Sequence, residues 1–194
     1  MKASLLALVR ETARGVLATP ERVREVRAIV DMMEEKEKER EGGAWNPMKR
    51  KAPLSANWRL LFTSEQETLF ILQNARLFGT EAGEVIQVVD DDAGILQNVI
   101  TFGQEGGRFQ VDSTLAPDGD DDGGILRRRA FKFTSAGLRV CDADGEEVRT
   151  LAFPPFGQGW FDSVYCDGEI RCAKDSRGDV LVVERTPLRP FPKV

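Results

Sequence analysis

The sequence predicts a mainly β (α+β) protein, an antiparallel β-barrel preceded by two N-terminal helices, and three observations carry that prediction. Hydrophobic spacing is helical up to about residue 33, whereas after Leu54 apolar residues recur every second position. Runs of turn-forming Asp and Gly separate the later segments at intervals of roughly 8 to 12 residues, the rhythm of short antiparallel strands. A meander of roughly eight to ten such strands avoids exposed edges best by closing on itself.

The elements follow in order. Leu5, Leu6, Leu8, Val9, Ala13, Val16 and Leu17, with Arg10, Glu11 and Arg14 between them, form a short amphipathic helix. Thr19-Pro20-Glu21 supplies an N-cap, a proline for the first helical position and an acid for the first turn of a second helix. Val23, Val26, Ile29, Val30 and Met33 give that helix one apolar stripe, expected to pack at the mouth of the barrel. Glu34 to Glu41 is almost entirely charged and reads as a solvated extension, which Gly42-Gly43 ends. The helical segment therefore occupies residues 1–42, a linker 43–54, the barrel 55–186 and a tail 187–194.

Strand-like runs begin with Trp58 to Phe62 and continue at 85–89, 96–102, 109–115, 129–134, 137–141 and 148–153, while 65–78 fits a helix better than a strand. Asp167-Gly168 predicts a two-residue hairpin that places Trp160, Asp162, Val164, Glu169 and Arg171 on one face, with Phe161, Tyr165, Ile170 and Cys172 on the other. Cys166 and Cys172 then lie on opposite faces and are not bridged. Ser176-Arg177-Gly178 turns into Val180 to Val183, the most continuously apolar strand.

Composition removes several function classes. Apolar residues make up 41% of 194, and 32 acidic against 27 basic residues give a formal charge of −5, which offers no surface for nucleic acid. There is no histidine, so a Ser-His-Asp or Cys-His nucleophile and a histidine-containing metal site have no side chain to use. The three cysteines, 141, 166 and 172, form no CxxC pair and read as small apolar residues in a reducing compartment. Leu5 to Val9 is the longest uncharged apolar run near the start and is too short for a membrane span or a signal core. Asp118-x-Asp120-x-Asp122-Gly123 mimics the start of a calcium loop, but Arg129 stands where the closing glutamate belongs, so a solvated loop is expected and no metal site. Paired carboxylates among Asp162, Asp167 and Glu169 have no polar cleft in which to do acid–base work.

Two stretches carry a resemblance. Trp58-Arg59-Leu60-Leu61-Phe62-Thr63-Ser64, and Gly157 to Tyr165 continuing through Asp167, Ile170-Arg171 and Arg177 to Arg185, resemble the plastid lipid-associated protein family, also called plastid fibrillins. Ala18 to Glu21 and Asn46-Pro47 sit where that family has its paired helices and linker. The resemblance implies a lipocalin-like barrel and a non-enzymatic protein of the plastid (chloroplast), at plastoglobules or thylakoids. It further implies apolar lipids, carotenoids or prenylquinones as occupants, with no required cofactor. Cys166 and the acidic loop 118–124 depart from the family's pattern, and no transit peptide is visible.

Within that frame Trp58 and Arg185, at the first and last strands, are expected to meet at the seam as a cation–π closure contact. Asp162 and Arg171 are expected to pair beside Trp160, either holding the fold or, if their face turns inward, anchoring a quinone carbonyl, an ester or a headgroup. Leu60, Phe62, Trp160, Asp162, Val164 and Arg171 are thus the ligand-contacting candidates. Two functions remain in view: an apolar-lipid carrier or coat at a membrane or lipid-droplet surface, and an interaction module docking an isoprenoid-pathway enzyme or a thylakoid complex.

Overall fold

A computed structural model describes residues 1–40, 54–75, 82–102, 107–118, 128–142 and 147–187. The linker up to residue 53, the stop at Gly42-Gly43, most of the acidic loop and the tail from residue 188 fall outside these residues. Two helices, α1 (Lys2–Arg10) and α2 (Pro20–Arg40), precede strand β1 (Ala56–Thr63) and helix α3 (Gln66–Gln73). Then come β2 (Ala82–Asp90), β3 (Ile95–Phe102), β4 (Gly107–Pro117), β5 (Arg128–Cys141), β6 (Glu147–Phe153), β7 (Gln158–Cys166), β8 (Ile170–Asp175) and β9 (Val180–Thr186).

The mostly antiparallel sheet runs β4-β3-β2-β1-β9-β8-β7-β5-β6, and an additional β4–β5 pairing returns the order to its start. Eight strands thereby form a hydrogen-bonded circuit, with β6 attached to its side. The long strand β5 makes this possible. Residues 128–132 pair with β7, residues 136–141 pair with β6, and its other edge pairs with β4 from Arg139 to Arg129. The runs 129–134 and 137–141, read as two strands from the sequence, are one. A register shift opposite Asp112/Ser113 lets it bend without breaking.

Each strand has an inner and an outer face, and each face has its own core. Trp58, Leu60, Leu96, Ile100, Leu115, Leu138, Phe161, Ala173 and Val183 form the inner one, joined by Leu72 of α3. Phe62, Val164, Ile170, Cys172, Val180 and Val182 form the outer one and are covered by Leu5, Val9, Val26, Val30 and Met33. The first two helices therefore pack on the outside of the β1–β9–β8–β7 wall and not at a mouth. The reason lies in β9, where alternate residues are apolar on both faces, so its outer side needs a cover. The α1 stripe of Leu5 and Val9 is spent in that contact.

The charged end of α2 is also less solvated than its composition suggests. Glu34 and Glu37 are buried, and Lys174 of β8 reaches Asp31 at 2.6 Å and Glu34 at 2.5 Å. Between α1 and α2, where it crosses the end of β1, the chain turns through Ala13, Arg14 and Gly15, all at positive φ. A Cβ on Gly15 (φ +105°) would lie 2.2 Å from the carbonyl oxygen of Thr63, so that crossing requires glycine.

Candidate functional site: an apolar cavity over a buried arginine

Inside the circuit lies a cavity of about 320 Å³, within the range of small-molecule sites. Its wall is largely apolar: Leu60, Val85, Leu96, Ile100, Phe109, Val111, Phe131, Phe133, Phe161 and Leu181 line it, and α3 adds Ile71. Alternation puts these residues there, because each occupies the inward position of its strand. Phe131 and Phe133 stack at 5.6 Å, giving one wall a flat aromatic surface.

Away from the α3 end, where Thr63 and Thr68 also line the cavity, two polar side chains interrupt the apolar wall. Gln87 stands between Val85 and Val89 on β2, and Asn98 stands directly opposite it on β3, between Leu96 and Ile100. Gln87 Nε2 donates to Asn98 Oδ1 at 3.0 Å. Beyond them is Arg171, fully buried, whose guanidinium donates to Gln87 Oε1 and to Ser163 Oγ at 3.5 Å. The guanidinium carbon lies 5.2 Å from the Phe161 ring centre and 5.5 Å from that of Trp58. No carboxylate among the described residues lies within ion-pair distance of Arg171. Burial lowers its pKa to about 10, which still leaves it charged at neutral pH. Its Nε is without a hydrogen-bond partner.

The α3 end of the cavity is acidic instead. Glu65, Glu67, Asp175 and Asp179 border it. Arg177 is their shared partner, bonding Glu67 and standing 3.2 Å from Glu65, 3.5 Å from Asp175 and 3.8 Å from Asp179. It ties α3 to the β8–β9 turn that Ser176-Arg177-Gly178 was expected to make. Burial raises the pKa of Glu65 against the opposing pull of Thr68 and Arg177.

The structure separates the expected site residues. Leu60 and Arg171 face inward. Phe62 and Val164 face outward into the core beneath the helices. Trp160 and Asp162 are outward as well. Asp162 takes a two-pronged bond from Arg128, at 3.0 and 3.1 Å, and the guanidinium of Arg128 lies 3.4 Å over the Trp160 ring. The expected Asp162–Arg171 pair is therefore absent. Two bulges explain the differences. On β1 the register slips between Leu60 and Phe62, and on β7 between Ser163 and Tyr165, each turning the rest of its strand over.

The hairpin after β7 also differs from the expected two-residue turn. Cys166 pairs with Arg171, and neither Asp167 nor Gly168 has positive φ. The Asp167 carboxylate caps the loop instead, accepting from the backbone N–H groups of Glu169 and Ile170 at 2.8 Å each. Cys166 and Cys172 lie in different cores as free thiols, and burial pushes Cys172 up to about 12, leaving no nucleophile there. Trp58 and Arg185 do meet: they are directly paired across β1 and β9, with the guanidinium 4.5 Å from the ring centre.

Sequence reasoning missed Gln87, Asn98 and the phenylalanines of β4 and β5. The signal was present: Val85-Gln87-Val89 and Leu96-Asn98-Ile100 are apolar stripes with one polar residue at the same level. Among the described residues no cluster of Cys, Asp or Glu has the arrangement to hold a metal, and no described helix is long and apolar enough to cross a membrane.

The strand circuit thus surrounds a cavity with a largely apolar wall and a short polar floor, the chain's candidate site for a small molecule. The family model PAP_fibrillin matches residues 1–136, and the chain belongs to that family. The match takes in Trp58 to Ser64 but stops short of the 157–185 stretch that carried much of the resemblance. The chain is 52% identical, over 134 residues, to a protein of Arabidopsis thaliana named probable plastid-lipid-associated protein 11, chloroplastic. That alignment covers 69% of this chain and 57% of the relative's length. No solved structure matches.

Proposed function

We propose that the chain is a non-enzymatic lipid-associated protein of the plastid, whose strand circuit is a lipocalin-like barrel holding an apolar lipid, carotenoid or prenylquinone. The single observation that carries this reading is the cavity of about 320 Å³ with its wall of Leu, Val, Ile and Phe side chains. An apolar cavity of that size gains free energy from any occupant that removes its surface from water, at about 25 cal/mol per Å². Family membership and the name of the Arabidopsis relative support the plastid and lipid-associated parts of the reading, to which the proposal adds a peripheral place at plastoglobules or thylakoids.

The test is mass spectrometry of the organic extract from the full chain purified without detergent from plastids, set beside titration of the stripped protein with an environment-sensitive apolar dye. A stoichiometric isoprenoid or acyl lipid, and a saturable dye signal displaced by that lipid, are the expected results. A chain that carries no lipid and binds no apolar probe overturns the reading.

A further inference from the structure

The cavity floor has an order that its residue types alone do not show. A guanidinium carries only donors, so Arg171 forces the oxygen of Gln87 toward itself and the nitrogen toward Asn98. That in turn forces the Asn98 oxygen toward Gln87, at 3.0 Å. The relay thus ends at Asn98 Nδ2, whose two N–H groups have no hydrogen-bond partner among the described residues, on a side chain that lines the cavity. Both amide dipoles point the same way, away from a buried charge that no described carboxylate neutralises, so each bond polarises the next.

We propose that the cavity selects a neutral apolar molecule with a carbonyl oxygen at its inner end, and that Asn98 Nδ2 is the donor to that oxygen. The inference rests on the reading of the chain as an apolar-ligand binder and narrows it. A pure hydrocarbon would strip water from the Asn98 donors without replacing it, which is the kind of loss that makes polar sites reject analogues lacking the matching group. An anionic headgroup is disfavoured on two counts. Arg171 is screened from the cavity by Gln87 and Phe161, so no carboxylate reaches it without displacing them. At the other end, four carboxylates share one arginine, which repels an acid there.

The test uses the full chain, stripped of lipid, and three probes with the same alkyl tail: decyl-para-benzoquinone, decylbenzene and para-decylbenzoate. Displacement of an apolar dye gives affinities, and infrared spectroscopy gives the carbonyl stretch of the bound quinone. The wild type is expected to bind the quinone about five- to tenfold more tightly than decylbenzene, the worth of about one hydrogen bond, and to shift its carbonyl band to lower frequency. Asn98→Leu is expected to abolish both the preference and the shift while leaving decylbenzene binding intact. Asn98→Asp, which keeps the size and replaces the donors with acceptors, should do the same, and thermal unfolding of both variants reports their folding.

Equal binding of quinone and decylbenzene by the wild type, an unshifted carbonyl band, or tightest binding of the benzoate overturns the proposal while leaving the lipid-binding reading in place. An Asn98→Leu variant that keeps the preference and the band shift overturns it as well. If none of the three probes binds the wild type, the ligand-binding reading falls together with the inference. An unshifted wild-type infrared band overturns the proposal even if neither variant folds.

Discussion

Arg171 on β8 and Arg128 on β5 lie on opposite faces of the strand circuit, either side of β7, and their surroundings differ in kind. Arg128 is outside, partly solvated, bonded by both prongs to Asp162 and stacked on Trp160. Arg171 is inside, without exposure, and answered only by an amide, a hydroxyl and two aromatic rings. An outer arginine with a carboxylate is ordinary surface chemistry. A buried cation without one is expensive, and a fold keeps it where neutral dipoles and ring faces can stabilise the charge. The contrast teaches that on the outer side a carboxylate answers the charge beside the surface the helices cover, whereas on the inner side the charge is answered by amides that line the cavity.

The largest expected effect tests the inner arginine. Arg171→Ala removes the donor to Gln87 and opens a hole beside Trp58 and Phe161, which should destabilise the chain by about 3 kcal/mol or leave it insoluble. Arg171→Met fills most of the same space without the charge, and its stability should stay within about 1 kcal/mol of wild type. Urea unfolding of the two variants checks this, and an alanine variant as stable as wild type would contradict the burial of the guanidinium. The methionine variant also frees Gln87 to flip, so it should lose any preference for a carbonyl-bearing probe.

A middle-sized effect comes from an ion pair on the outer side. Asp167 accepts from Lys2 at 2.7 Å, from Tyr165 at 2.8 Å and from two backbone N–H groups, joining α1 to the β7–β8 loop. Burial pushes its pKa up, but the bond from Lys2, the two backbone donors and Tyr165 outweigh it, and the pKa falls to about 2. A carboxylate with a lowered folded pKa stabilises the fold above its unfolded pKa of about 4, and that stabilisation is lost as the pH falls from about 4 through 2. Because Lys2 is partly exposed, the contribution should be about 1 kcal/mol. Asp167→Asn should remove it and flatten the stability profile across that window, measured by thermal unfolding at a series of pH values. A profile of Asp167→Asn identical to wild type would remove Asp167 from the set of groups that hold α1.

The same two faces show what the sequence could and could not convey. The change of period after Leu54 and the turn chemistry between strands are written locally, and α3 falls within the stretch 65–78 that fits a helix better than a strand, whereas the Trp58–Arg185 meeting was expected from the resemblance. Facing was harder, because it depends on a count of two that one extra residue reverses. The bulges at Leu61 and Val164 are marked by neither glycine nor proline, since each added residue is apolar and buries itself under the helices. Phe62, Trp160, Asp162 and Val164 face outward, against the expected contact with a ligand, for that reason alone. Arg171 lies on the turn side of the β7 bulge, so its face relative to Cys166 survived the error. Gln87 and Asn98 each show in the sequence as one polar residue breaking an apolar stripe, but that the two share a level comes from the β2–β3 register.

The smallest effect belongs to the outer cluster, and it closes the comparison. Asp162→Ala leaves Arg128 exposed to water and still stacked on Trp160, so the loss should stay below about 1 kcal/mol and shrink further in high salt. Binding of an apolar dye or a carbonyl-bearing probe should not change, because the Asp162 side chain is on the far side of the strand from the cavity. Thermal midpoints at low and high ionic strength, with the dye titration run on the same samples, measure both quantities. If Asp162→Ala instead abolished ligand binding at full stability, the outer face would carry function, and the division between a docking side and a binding side would fail.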